Sequence, residues 1–468
     1  MPRNRRIGAE YTYMLHPVQT MSRFSTDMVA TAGQVQTMRQ SWSDVNRMRQ
    51  NYHQLDAYYR HEMPGRKFLQ ADFSFTHFNG LYGTGHDFDV SQGAPSRLTE
   101  DNHFNSWLYA GKVVYGFPLW KSDTQVGAEV SHTKIGRENT VGGNMQTEMS
   151  SSAYSTGQNS YAAFMDCFFK LKDFSFNAGL RLEHVNLNYY GKNGYDDGAS
   201  SDYTRLYPTL TMGYHKGRFN TSLSYAYSVT QPSYNQLSNS TAFVSSYVYS
   251  VGNPTLKGSF IHKLTYLASW NRLRLIATYR NIRNRIISVY EPSQTADSVL
   301  LLRMVNLRRY QSLAVGVSYD CNIGRWKPSW ELNYSQQFLS YDGIDYHKPL
   351  FSLKWKNMLT LPKDFTLFLN LSYSTLSGDN LYVRHQQFLA DFNLSKSFCK
   401  GHWQVTLSGT DLFNTSSDKT RMRLRQVSEL GYGNNGIRGQ LFRVAYNFNT
   451  VRSNYKGSGA GSEERSRL

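Results

Sequence analysis

The sequence predicts an all-β chain: one large antiparallel transmembrane β-barrel with short turns at one rim and long loops at the other. Three observations predict it. Apolar residues recur at every second position in many segments of about nine residues or more, against a usual strand length of five or six. The connections alternate between very short and very long. The 468 residues contain no run of about 20 apolar residues, which excludes helical membrane spans.

The alternation is plainest at Phe174, Phe176, Ala178, Leu180 and Leu182, interleaved with Ser175, Asn177, Gly179, Arg181 and Glu183. It recurs over Phe219–Tyr227, Leu273–Tyr279, Trp330–Tyr334, Phe365–Tyr373, Trp403–Leu407 and Phe442–Phe448. Successive side chains of a strand point to opposite faces, so each segment has one apolar and one polar face. Segment 33–60, with Met38, Trp42, Val45, Met48 and Leu55, mixes strand and helix cues.

Short connections include Lys172-Asp173, His215 to Arg218, Trp270-Asn271, Pro362 to Asp364 and Cys399 to Gly401. Between them lie polar stretches at 79–104, 134–157, 187–203, 229–257 and 413–436, rich in Gly, Ser, Asn, Asp and Tyr. About 16–20 strands fit, and open sheets rarely exceed about ten without curling or splitting, so closure is expected. A sheet of that size encloses a lumen too wide for side chains to fill. The apolar face must then look outward into lipid. Tyr189, Tyr190, Tyr225, Tyr227, Tyr334, Tyr373 and Phe448, near strand ends, suit interfacial girdles.

Composition agrees. Aromatics reach 15% and charged residues only 18%, yet mean hydropathy is −0.54, as fine alternation requires. Cys167, Cys321 and Cys399 lie far apart, which gives neither a disulfide framework nor a zinc site. The basic Met1 to Arg6 has no apolar region behind it, so no signal peptide is read. Either the protein is not exported or the chain begins inside a longer one. The net charge of +17 would suit nucleic acid, but no helix-turn-helix, finger or basic-helix pattern accompanies it.

Catalytic and metal chemistry find no anchor, and no cofactor is expected. Gly431 to Gly436 spells G-x-G-x-x-G, but no helix pattern follows to receive a phosphate. The carboxylates of Gly85 to Asp89 and Tyr195 to Gly198 lack the closing Glu of a calcium loop. The histidines show no metalloenzyme spacing, and no serine occupies a G-x-S-x-G elbow.

The basic residues are more informative. Arg421, Arg423 and Arg425 share one face of a strand, Arg272 and Arg274 do likewise opposite Leu273 and Leu275, and Arg181 stands beside Glu183. A charge on the lipid face at mid-bilayer costs about 2–4 kcal/mol, so these side chains are expected toward the lumen or the headgroups. They would line the lumen for a plug and an anionic solute. The plainer reading, which the residues favour, is ion pairing among themselves and with anionic lipid or lipopolysaccharide at the rims. Loops 79–104, 134–157 and 229–257 carry Tyr, His, Asn and Asp suited to holding a ligand.

Several segments resemble the C-terminal barrel of TonB-dependent receptors, in the form of the outer membrane beta-barrel family common in Bacteroidetes. Residues 159–184 resemble its hairpin ending in Gly179-Leu180-Arg181-Leu182-Glu183, and residues 205–215 with 219–234 its next, closing at Pro232 to Leu237. Gly252-Asn253-Pro254-Thr255-Leu256, Asp411-Leu412-Phe413-Asn414 and residues 442–449 follow in the family's order, before a tail with Glu463-Glu464-Arg465. Lys257-Gly258 replaces the usual Pro-Glu, and Gln231 stands where Arg commonly precedes the Pro.

The resemblance implies an outer-membrane receptor, not an enzyme, for TonB-dependent uptake of a small solute of siderophore, saccharide or peptide class. It implies a barrel of about 22 strands around a plug domain, worked by the TonB complex. No plug fits before residue 66, so the chain is expected to be the C-terminal part of a longer receptor. The expected divisions are 1–65, early barrel strands with an irregular or helical insert; 66–450, the barrel; and 451–468, a polar tail. The alternative is a passive porin-like or adhesive outer-membrane barrel.

Overall fold

The computed structural model describes residues 4–31, 35–89, 96–145, 147, 149–245, 247–294, 299–424, 428–434, 438–446 and 460–467. Among these, eighteen long strands form the wall, each antiparallel to the next in the chain. They are β1 (Arg5–Thr31), β2 (Val35–Met63), β3 (Lys67–Asp89), β4 (Ser96–Leu119), β5 (Ser122–Gly143) and β6 (Ser152–Leu171). Then come β7 (Phe174–Gly191), β8 (Ser201–Lys216), β9 (Phe219–Thr230), β10 (Ser259–Trp270), β11 (Leu273–Pro292) and β12 (Leu300–Asp320). The last six are β13 (Trp326–Phe338), β14 (Leu350–Leu361), β15 (Phe365–Ser374), β16 (Gln387–Phe398), β17 (Trp403–Thr410) and β18 (Gly439–Tyr446). No ladder joins β1 to β18 among the described residues.

Register fixes which face is which. Leu275, Val317, Leu332, Leu353, Tyr373 and Phe388 stand opposite one another across six successive strands. Val317, Leu332, Leu353, Tyr373 and Phe388 are all exposed, as a lipid-facing band must be in a chain without its bilayer. One position along, Ser318, Glu331, Lys354 and Ser372 form the polar row of the other face. A one-residue slip would exchange the two rows, so the alternation pins the pairing.

The short turns supply the left-handed residues that tight hairpins need. Gly217, between β8 and β9, has φ 60°, and Asn271, between β10 and β11, has φ 58°. Nothing lies within 4 Å of a Cβ built on Gly217, so conformation and not space favours glycine there. These turns mark the periplasmic rim, since outer-membrane barrels keep their short turns on that side.

Two readings of the sequence change. Residues 35–63 form one strand paired along its length with β1 and β3, with no helical insert. The polar stretches 79–104 and 134–157 are mostly wall: β3 and β4 pair from Phe68↔Gly116 up to Phe88↔Ser96. Above the bilayer both faces meet water or loops, so the strand continues without alternating, and composition alone reads it as loop.

Candidate functional site

The mouth of the barrel is built where the long loops meet. After β9 the chain leaves the wall, forms a hairpin of Thr241–Ser245 with Val248–Val251, and lays that hairpin parallel on the top of β12. This loop carries Phe243 and Tyr249 to Phe88, Leu98, Met149 and Val299, forming a buried apolar cluster. Lower down, Tyr234, Leu237 and Leu256 of the same loop pack on Ile135 and Leu187. The stretches 79–104, 134–157 and 229–257 thus come together.

At the heart of that contact His86 sits between two carboxylates. Its Nδ1 is 2.6 Å from Asp44 Oδ1 and its Nε2 3.3 Å from Glu100 Oε1. Glu100 also accepts the Phe243 amide at 3.0 Å, which ties the hairpin to the cluster. His86 lies nineteen positions above the start of β3, beyond the roughly 9–11 residues that cross a bilayer. Burial opposes its charge, but the hydrogen bonds and charges of Glu100 and Asp44 outweigh burial and raise its pKa.

A second lobe covers the other side. Leu339, Tyr346, Leu381, Met422 and Leu424 pack over Ile282, Ile287, Val289 and Tyr310 at the tops of β11 and β12. Arg285 stacks on Tyr310 at 3.9 Å and donates to Asn380 Oδ1 at 2.9 Å through Nη2. Arg421 and Arg423 belong to this lobe. They lie in the hairpin of Ser417–Arg423 with Ser428–Asn434, outside the barrel wall. Met422 and Leu424 point into the lobe and the two arginines are exposed. The correction has a simple cause: period-two alternation gives a strand and its faces, but not the sheet it joins. Arg425 lies outside the described residues. Gly431 to Asn434, the start of the G-x-G-x-x-G, are strand; residues 435–437 lie outside the described residues.

Below the mouth, a polar network lines the inner wall. Arg181 stands on the face opposite the exposed Leu180 and Leu182. It donates to Glu129 Oε2 and to Glu183 Oε1, both at 3.1 Å. Arg272 and Arg274 stand instead at the periplasmic rim, where Arg274 pairs with Asp320 and Arg272 lies 3.8 Å from Cys321 Sγ. Nearby, a concavity of about 640 Å³ opens in the wall between β8 and β13. Leu267 and Ile276 share its face with Ser222 and Asn333, and both are exposed.

The same wall holds residues that sequence reading missed: Asp56, Ser74, Ser131 and Gln158, all buried, face the segment 460–467. No local pattern marks Asp56 or Gln158, because the arginines they meet, Arg465 and Arg467, lie hundreds of residues away.

The outer membrane protein beta-barrel family model matches residues 61–448. No curated protein matches the chain. Among solved structures it resembles the pyoverdine outer membrane receptor FpvA of Pseudomonas aeruginosa PAO1, bound to pyoverdine. That likeness has 11% identity and a TM-score of 0.58, over 95% of this chain and 74% of that one. It also resembles the copper transporter OprC, at 11% identity and a TM-score of 0.51, over 91% and 79% of the two chains. These are receptors and transporters, not enzymes. With lipid-facing and inward rows, short turns and elaborated loops all present, the chain belongs to the outer membrane protein beta-barrel family and is a barrel of the Gram-negative outer membrane.

Proposed function

We propose that this barrel captures a small anionic solute at its mouth and imports it with energy supplied through TonB. The observation that carries the reading is the loop 231–258, folded in over the lumen and anchored on both neighbouring loop groups. A passive pore gains nothing from an arrangement that covers its entrance. The exposed Arg421 and Arg423 and the net charge of +17 support an anionic cargo. The exposed Leu267 and Ile276 on the inner wall support a protein filler such as a plug, since isolated apolar patches facing a wet lumen are otherwise unfavourable.

Growth tests address this directly. Deleting the gene should abolish growth on one limiting anionic nutrient or metal chelate, and loss of TonB should do the same. Uptake that survives loss of TonB, together with free ion conductance of the native protein in planar bilayers, would instead establish the porin-like alternative.

A further inference from the structure

The segment from Ala460 to Arg467 lies against the inner wall and ends in a short helix, Ser462–Arg467. Its polar groups meet residues of β2, β3, β5 and β6 and of the loop that follows β9. The Ala460 amide donates to Ser74 Oγ of β3 at 3.3 Å, and the Gly461 amide to Glu129 Oε1 of β5 at 3.0 Å. Ser131 Oγ, also of β5, donates to Glu464 Oε1 at 2.9 Å. Arg465 Nη2 donates to Asp56 Oδ1 of β2 at 2.9 Å. Arg467 donates to Gln158 Oε1 of β6 at 2.8 Å and to the Pro232 carbonyl at 3.1 Å, and stacks 4.3 Å from the Tyr234 ring centre.

The fit is steric as well as electrostatic. Gly461 has φ +60°, and a Cβ there would stand 2.6 Å from Ala110 Cβ, so glycine is required on both counts. Ala460 is fully buried, and Arg467 is only 8% exposed. A buried guanidinium is tolerated only when its donors are satisfied, and here an amide oxygen, a carbonyl and an aromatic face do so. Tyr234 and Gln158, the walls of that pocket, are themselves 1% and 3% exposed.

We propose that the lumen wall carries a built site for an arginine-x-arginine peptide, and that its ligand is the chain's own segment 460–467, which occludes the lumen from within. Asp56 takes the first arginine, and the Gln158, Pro232 and Tyr234 pocket takes the second. Glu129 and Ser131 grip the backbone and the carboxylate before them.

Conductance of the full chain in planar lipid bilayers tests this without reference to transport. Arg465→Glu with Arg467→Glu should raise single-channel conductance several-fold. Gly461→Val, which leaves every charge in place, should do the same by displacing the segment. Both lie outside the wall strands, and heat-modifiable gel migration reports whether each variant is folded. A synthetic peptide of sequence 460–467 should return the current of either variant toward the native level, and the same peptide with both arginines replaced by alanine should not. Folded variants that conduct like the native chain would overturn the proposal, as would a current indifferent to the native peptide.

Discussion

Arg181 bridges Glu129 and Glu183, giving one Nη to each carboxylate at 3.1 Å and joining β5 to β7 across the intervening β6. Glu183 is the more deeply buried of the two acids, with its side chain 6% exposed. Removing the arginine therefore leaves two carboxylates facing each other with little water to screen them.

Arg181→Ala should destabilise the barrel by about 2 kcal/mol, the cost of orphaning a buried charge-assisted pair. Urea unfolding in detergent, followed by tryptophan fluorescence, measures it. Adding Glu183→Gln should recover a substantial part of the loss, because the residues are coupled. An additive pair of losses would contradict the bridge.

The His86 clamp predicts a pH dependence at the mouth. A histidine whose folded pKa is raised stabilises the fold fully below the unfolded value of about 6.5. That contribution fades as pH rises through the higher folded value. Hydrogen exchange at the Phe243 amide, held by Glu100, should accordingly quicken from pH 6 to pH 9 beyond the intrinsic base-catalysed increase. His86→Gln should remove the excess. Unchanged protection across that range would show that the imidazole does not hold the loop.

The wall was legible in the sequence because lipid enforces a strict alternation. Leu180 and Leu182 must face one way and Arg181 and Glu183 the other, so the sequence alone places Arg181 beside Glu183. Their partner Glu129 was not legible, since it belongs to β5 and pairing across β6 depends on register. Above the bilayer the constraint lapses. Strands β3 and β4 extend to Asp89 and from Ser96 with polar, glycine-containing sequences that read as loop. Asp411 in the Asp-Leu-Phe-Asn segment was recognisable by resemblance, but its role is a matter of backbone geometry. The segment 460–467 reads as a solvated tail because its charges are balanced by residues as distant as Asp56, 409 positions from Arg465.

Leu180 offers a test of the lipid-facing assignment. It lies six positions above the start of β7, near the middle of the crossing, and is 47% exposed. Leu180→Arg should cost about 2–4 kcal/mol in folding from urea into lipid vesicles. Asn177→Arg, on the opposite face of the same strand, should cost well under half of that. Equal costs would mean that the two faces see the same solvent.

Asp411 is where the wall hands over to the second lobe. Its amide donates to Asp391 Oδ1 at 2.9 Å, and its own carboxylate accepts the Thr415 amide at 2.8 Å and the Ser416 amide at 3.0 Å. This side chain replaces the ladder that β17 loses at Thr410, and so sets the direction in which the Ser417–Arg423 hairpin departs. Asp411→Ala should leave the wall folded and heat-modifiable while speeding hydrogen exchange at Thr415 and Ser416 by at least about tenfold, the equivalent of one lost hydrogen bond. Asp411→Asn, which keeps one acceptor, should fall between. Because Met422 and Leu424 pack on Ile282 and Val289 through this hairpin, the alanine variant should also expose the lobe to protease near residue 424. Protection equal to the native chain's would mean that the apolar packing of Met422 holds the lobe without the turn.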